Sequence, residues 1–554
     1  MKRSIYILFI SLFFICSAQA ATYYLKQSAS GDVGGSNCAN AMSVATAMTS
    51  LDDNDVGRVC DGETITTIFD PTNDGTSGNE ITYMADTQYG ATISTAGVGV
   101  DLTDRDYWII KNFYFNDCED QWIMLSNSTY NTIQDNKFND AFAYDGIRVN
   151  ASTYNKIVDN IFEDAPASGD ANGTKPSDYI YFNGAVGSPH HNVVEGNTFG
   201  KIAHGAIMML SGQYNVFREN TFQNEYHTGL NLNDPGPHLV EGNFFYDMGS
   251  DFQNNPITAT ANGDRLYNPG IQLNSAANII RRNVFDNNGS SIGHQQYNAD
   301  TNADDNRIYH NTMNKAVRVI NVYSDYPLTY HIDGNAYKNN VFTNSFDCIN
   351  ALRPAAFCVG YELYGNTEQD GGAANLWLNN NTYGGDGDHY YNDDNVGGGT
   401  TGTFAEIISA FGTEFPSGNI YVDPKYTNAD ARDFTLQSDS QMINAGTYLT
   451  LTANSGGGGT KVIAVDDATY FFDGWGITGE TADTLYIASS TPITVLIDSI
   501  SGNNITLTEN ATWDDSAEVY HCPSGVCFSG SEVDIGAYEY TTVPANAIQG
   551  VSIQ

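Results

Sequence analysis

Two histidines 23 residues apart, His204 and His227, are the residues whose type and spacing best suit proton transfer. If the backbone repeats at that period, their side chains stand on adjacent strands, about 4.8 Å apart. Neighbouring imidazoles resist double protonation, which keeps one of them neutral near pH 7 and fit to be a general base. Tyr181 and Tyr226 share the neighbourhood as proton donors, and Lys201 adds a cation. Arg148, Asn231, Asn233, Asp234, Arg265, Tyr267 and Gln272 add the hydrogen bonds and charge that would hold a polar substrate. The bland alternative is a histidine ladder decorating a polar turn.

What must position these residues is a repeat. Asn-x-aromatic recurs from Asn112-Phe-Tyr114 through Asn136-Lys-Phe138, Asn160-Ile-Phe162, Asn197-Thr-Phe199, Asn220-Thr-Phe222, Asn243-Phe-Phe245, Asn283-Val-Phe285 and Asn340-Val-Phe342 to Asn381-Thr-Tyr383. Asn311-Thr-Met313 is a near match, and a basic period near 23 is interrupted by insertions. Three residues before these asparagines stands an apolar residue (Ile133, Ile157, Val194, Phe217, Val240, Ile280, Ile308). Five before stands a second asparagine, replaced once by His238. A short strand follows about ten residues later, as in Gly146-Ile-Arg-Val149 and Gly270-Ile-Gln-Leu273. A coil of about 23 residues cannot bury its own apolar face, whereas stacked coils bury a continuous column. Inward asparagines then hydrogen-bond one another, and phenylalanines stack.

The fold expected is all-β: a right-handed parallel β-helix over residues 62–451, with an N-terminal cap at 21–61. A small β module at 452–528 is inserted before a closing strand at 529–541, and a tail occupies 542–554. The module is expected to follow a flexible joint at Gly456-Gly-Gly-Gly459. Coils three and six are expanded, between Phe162 and Tyr179 and between Phe245 and Gly270. Both insertions fall at one phase, so two long loops should wall a cleft whose floor carries His204 and His227. His238 reads as a ladder substitution. Glu195, Arg218, Glu241 and Arg281 share an outward phase with alternating sign and read as a solvated ion ladder.

Composition narrows the partners. Lys+Arg is 23 against 65 Asp+Glu, a net charge of −42 over 554 residues, which repels nucleic acid and anionic membrane. Fifteen of the 23 basic residues nevertheless lie between Arg105 and Lys338, which would offset the charge locally for an anionic glycan. Lys2 and Arg3, the apolar run Ile5 to Ile15 and Ser17-Ala18-Gln19-Ala20 read as a signal peptide, 1–20. The protein is thus expected to be secreted, to the medium or periplasm, and monomeric, with no membrane span. Export permits disulfides, and close spacing suggests Cys38–Cys60, Cys348–Cys358 and Cys522–Cys527, with Cys118 buried and unpaired. Calcium is plausible for so acidic an exported chain, but no site can be named and no cofactor is certain.

The N-x-I-x-x-N-x-F…G-I-x-L pattern resembles the right-handed parallel β-helix superfamily of pectate-lyase-like secreted proteins. Gly75-Thr-Ser-Gly-Asn-Glu-Ile-Thr-Tyr83 resembles the opening segment of those chains. Phe434-Thr-Leu-Gln437, Ile443-Asn-Ala-Gly446 and Asp534-Ile-Gly-Ala-Tyr538 resemble the closing segment of bacterial members labelled choice-of-anchor Q. The resemblance implies a fold rather than an activity, since this scaffold hosts lyases, hydrolases, epimerases and adhesins. The catalytic patterns of polygalacturonases and of calcium-dependent pectate lyases are absent. Asp234-Pro-Gly-Pro-His238 is only a broken form of the Asp-Pro-His run of mannuronan epimerases, so no family's catalytic residues carry over.

The leading expectation is a polysaccharide lyase that cleaves a uronate-containing glycan by β-elimination. That reaction needs a carboxylate-neutralising group, a base and an acid. A glycoside hydrolase would need two carboxyls across one bond, and no pair is fixed by spacing. A glycan-binding, adhesin-like surface protein is the third reading.

Overall fold

A computed structural model describes residues 20–540 except 142–144, 165–177, 186–187, 202–203, 224–227, 249–268, 297–302, 317, 325–333, 346–360, 365–374, 386–388, 393–399, 411–417, 524–526 and 529. The expected signal residues 1–19 and the Cys348–Cys358 pair lie outside the described residues.

One coil shows the plan. Strand Thr132–Gln134 is followed by Lys137–Ala141 and Asp145–Asn150, and the chain then returns at Lys156–Val158. The returning strand pairs in parallel with the first, Ile133 opposite Ile157. Repetition gives three long sheets among the described residues, here called A (fourteen strands), B (twelve) and C (nine). The chain is a right-handed parallel β-helix.

The turn from sheet A to sheet B is two residues long, and its first residue has a left-handed backbone: Asp135 (φ 55°), Asp159 (56°), Gly196 (68°) and Gly242 (66°). Short polar residues and glycine tolerate that conformation best. The second turn residue is the inward asparagine. Asn136 donates from its side-chain amide to Asn160 Oδ1 at 3.2 Å, and its backbone N–H donates to the same oxygen at 2.9 Å. The ladder continues through Asn197, Asn220, Asn243, Asn283, Asn311, Asn340 and Asn380 to Asn419. Each buried amide thereby satisfies backbone groups that a tight turn leaves without strand partners. A second ladder, Asn131–Asn155–Asn192–Asn215, runs through the turn from sheet C to sheet A. His238 substitutes in it, accepting from the Asn215 backbone N–H through Nδ1 at 3.2 Å.

Two ends of the repeat are shifted by one residue from the sequence reading. Phe113, not Asn112, occupies the ladder phase, because Tyr114 pairs with Lys137. At the other end Asn380 is the ladder residue, and Asn381 pairs with Val341 in sheet B. Both shifts follow from strand register, which a local Asn-x-aromatic match does not see.

Inside, Phe115, Phe138, Phe162, Phe199, Phe222, Phe245 and Phe285 stack with centroids 4.5–4.9 Å apart. The spacing equals the strand separation, so the aromatic column costs the sheet no distortion. Cys118 is buried and unpaired, and burial pushes its thiol up to about 11, which leaves it inert.

Residues 21–61 are built into the helix as well as covering its end. Thr22–Lys26 and Val56–Val59 are parallel strands of sheet A, with Val56 opposite Thr82. Helix α1 (Val44–Ser50), capped by Ser43, lays Val44 and Ala47 into the core, and Cys38–Cys60 ties the segment (S–S 2.04 Å).

The predicted late strands lie in a six-stranded antiparallel sheet, with Cys522–Cys527 closing one corner. The expected joint at Gly456–Gly459 is instead the start of strand Gly456–Ala464. A Cβ at Gly456 would strike the Trp513 ring at 2.3 Å, so that glycine serves close packing rather than freedom. Residues 530–540, expected as a strand, contain none; they pack Ile535 against Val341, and Gly536 N–H bonds Asn339.

The largest correction concerns the ion ladder. Glu195, Arg218, Glu241 and Arg281 do stand in register on the outer face of sheet A, but the β module covers them. Arg281 is 1% exposed and bidentate to Asp483 (2.6 and 2.7 Å), and Arg218 pairs with Glu480 at 2.7 Å. Beside them Val193, Val216, Leu239 and Ile279 form an outward apolar column that packs on Phe471, Phe472 and Ile477. That column is legible in the sequence: the residue after each second-ladder position is apolar from Val193 to Ile279, before Arg307 breaks the run.

Candidate functional site

Sheet C carries the residues singled out for chemistry. In its middle strands Tyr179 and Ala206 are buried directly beside the inward Ile180 and Ile207. Two outward columns result. One runs Asp145, Asp178, Gly205, Thr228, and the other Arg148, Tyr181, Met208, Asn231, Gln272.

His204 lies at the head of this face. Its Nδ1 is 2.8 Å from Asp178 Oδ1, and the imidazole is 40% exposed while the carboxylate is buried. Burial alone would lower the imidazole, but the hydrogen bond and charge of Asp178 outweigh it and hold it above its ordinary value. One partner of His204 is therefore a carboxylate. His227, expected to fill that role, lies outside the described residues, as do Tyr226, Arg265, Tyr267 and the insertions 165–177 and 249–268. With Nδ1 committed to Asp178, proton exchange with a substrate would go through Nε2.

Tyr181 sits one rung away. Burial and then the charges of Asp178 and Asp145 raise its phenol, only partly offset by Arg148, so it is held protonated as a donor. Arg148 lies over the Tyr181 ring (5.8 Å) and is bidentate to Asp145 at 2.6 and 2.9 Å. The guanidinium is 37% exposed, so one edge fixes the pair while part of it faces outward.

Farther along, Asn231 and Gln272 are 2% and 1% exposed. Thr228 Oγ1 bonds Gln272 Oε1 at 3.2 Å, yet Gln272 Nε2 and Asn231 Oδ1 have no hydrogen-bond partner among the described residues. Leaving such groups buried and unpaired costs about 1–3 kcal/mol each. Asn233 lies just past the strand, 3.5 Å from Asn274 Nδ2.

Two predicted residues stand elsewhere. Asp234 is 2% exposed and faces inward: both carboxylate oxygens lie 2.9 Å from His238 Nε2, and Ser275 donates at 3.0 Å. It serves the ladder at His238, because an imidazole in an asparagine column leaves a second nitrogen to satisfy. Lys201 is buried in the turn from sheet B to sheet C; its N–H bonds Asp164 and its carbonyl accepts from Tyr179. Asp178 and Asp145 carry more of the geometry than their spacing suggested. The usable signal was two acids at the same phase, just before the inward pair of successive sheet C strands.

Among the described residues no group of three or more His, Cys, Asp or Glu side chains could hold a metal ion, and no helix is long and apolar enough to cross a membrane.

A family model described as the right handed beta helix region matches residues 72–171. No curated protein matches the chain. Among solved structures, pectate lyase Pel9A is similar at 14% identity, covering 95% of this chain and 97% of its own, with a TM-score of 0.44. A mannuronic acid specific polysaccharide family 6 lyase from human gut microbiota is 14% identical, covering 65% and 87%, at 0.42. The GH136 lacto-N-biosidase from Eubacterium ramulus is 12% identical, covering 67% of each, at 0.36. At such identities and scores no substrate or residue role transfers. Together with the three stacked parallel sheets, the family-model match places the chain among proteins built on the right-handed parallel β-helix.

Proposed function

We propose that the chain is an exported polysaccharide-active enzyme that uses the outer face of sheet C to cleave a uronate-containing glycan by β-elimination. The observation that supports this reading most is one continuous face bearing His204 on Asp178, a protonated Tyr181, Arg148, and the unpaired buried amides of Asn231 and Gln272. In β-elimination the C5–H bond breaks as its proton passes to a base. The C4=C5 bond forms, the C4–O bond breaks, and the departing oxygen takes a proton.

His204 Nε2 is the base, with Asp178 steadying the imidazolium that results. Tyr181, one rung away, protonates the leaving oxygen. Arg148 and the amide of Gln272 hold the uronate carboxylate, whose negative charge grows toward the transition state. The remaining sugar hydroxyls bond Asn231 Oδ1 and the Asn233 side chain.

The test is incubation with a panel of polyuronates. A lyase yields ultraviolet-absorbing unsaturated uronate ends. New reducing ends without that absorbance would indicate hydrolysis, and tight binding without either product would reduce the face to recognition.

A further inference from the structure

In the turn from sheet C to sheet A, the residue just before the second ladder is left-handed in five successive coils, where bulky side chains are uncommon. Here it is Tyr107, Tyr130, Tyr154, His191 and Tyr214, at φ 56–59°. Their rings stack at 4.8, 5.0, 5.0 and 5.3 Å, and Trp475 of the β module closes the stack edge-on at 5.4 Å. Beyond Tyr214 the same position holds Pro237, Ala277, Asp305 and Gly334, so the turn itself does not require aromatic residues.

The aromatic half of the column borders a groove of about 400 Å³, a volume typical of ligand sites. Its floor is Ile109, Thr132 and Lys156, the uncovered continuation of the column that the module buries from Val193 onward. Ile477 and Thr478 of the module close one end. The three groove tyrosines are half-buried, and their hydroxyls have no hydrogen-bond partner among the described residues; Lys156 makes no ion pair among them either.

We propose that this groove is a second glycan-binding site, separate from the outer face of sheet C. Phenol hydroxyls spaced at the strand repeat can donate to and accept from successive sugar hydroxyls, the ring edges and Ile109 meet the apolar C–H faces, and Lys156 takes a carboxylate or a ring oxygen. The occupant is a glycan chain lying along the helix axis. Glu80 lines the same groove and Lys156 also feels the Glu480 carboxylate, so the hydroxyls and rings, more than net charge, would hold such a chain. The assignment rests on the groove alone and does not depend on the chemistry proposed for sheet C.

Calorimetric titration of the full chain with an oligouronate and with a neutral β-linked oligoglucoside tests it, the two probes separating charge from ring recognition. The variant combining Tyr107→Phe, Tyr130→Phe, Tyr154→Phe and Lys156→Ala keeps the ring stack. It should lose at least tenfold in affinity for one of the probes, while the melting temperature and the turnover of a short uronate substrate stay unchanged. Equal binding by parent and variant for both probes, including no binding by either, overturns the proposal. Should the combined variant unfold, Lys156→Ala and Thr478→Ala carry the test separately, with a threefold or larger loss expected from at least one and no change from either being fatal. Groove binding without turnover would refute the lyase reading and leave this site standing; turnover without groove binding does the reverse.

Discussion

The outer faces of sheets A and C are built from the same coils and have opposite fates. On sheet A every charge in the Glu195–Arg281 column has a partner, and the adjacent column is apolar and covered. On sheet C the carboxylates Asp145 and Asp178 steady Arg148 and His204, while amides farther along are buried and left unpaired. On sheet A the charges are answered by opposite charges across a joint with the module; on sheet C the charged pairs lie within the face itself.

That contrast can be broken most sharply at His204. His204→Ala should lower turnover of a uronate polymer about 10²–10⁴-fold without moving the melting temperature; an equal loss from unfolding would return the residue to structure. On the other face, Arg281→Ala strands the buried Asp483 carboxylate and should cost about 3–5 kcal/mol in denaturant unfolding, with turnover per folded molecule unchanged. Asn243→Ala, inside both faces, removes one ladder amide and should cost about 1–3 kcal/mol, read in the same titration.

The smallest effect is in the pH profile. Because Asp178 holds His204 above its ordinary value, base catalysis should rise with pH through that raised value, and Asp178→Asn should move the rising limb to lower pH. Linkage has the opposite sense. The His204–Asp178 bond stabilises the fold below the unfolded imidazole value, and that contribution disappears as pH climbs through the folded one. An unshifted limb in Asp178→Asn would remove His204 from the base role.

Much of the fold was legible because a parallel β-helix writes its register into the sequence. The inward Ile133-type residues, both asparagine ladders and the Phe138–Phe285 column all follow from one period. The same local motif misled at Asn112 and Asn381, where only strand pairing decides the phase. The covered ladder was misread because its partners lie far along the chain, Asp483 202 residues beyond Arg281 and Glu480 farther still from Arg218, and no periodicity links them. For the site, Tyr181, Arg148, Asn231 and Gln272 fell on one face as their phase required. Asp178 as the partner of His204, and Asp234 as the partner of His238, came from side-chain geometry that spacing does not encode.

The β module touches sheet A from Val193 to Ala336 and adds the bonds Arg307–Asp467 and Tyr309–Tyr470. A solenoid otherwise couples each turn only to its two neighbours. Here an external splint joins turns that never meet. The middle of the rod should therefore resist bending and melt as one block, which holds the rungs of sheet C at fixed spacing.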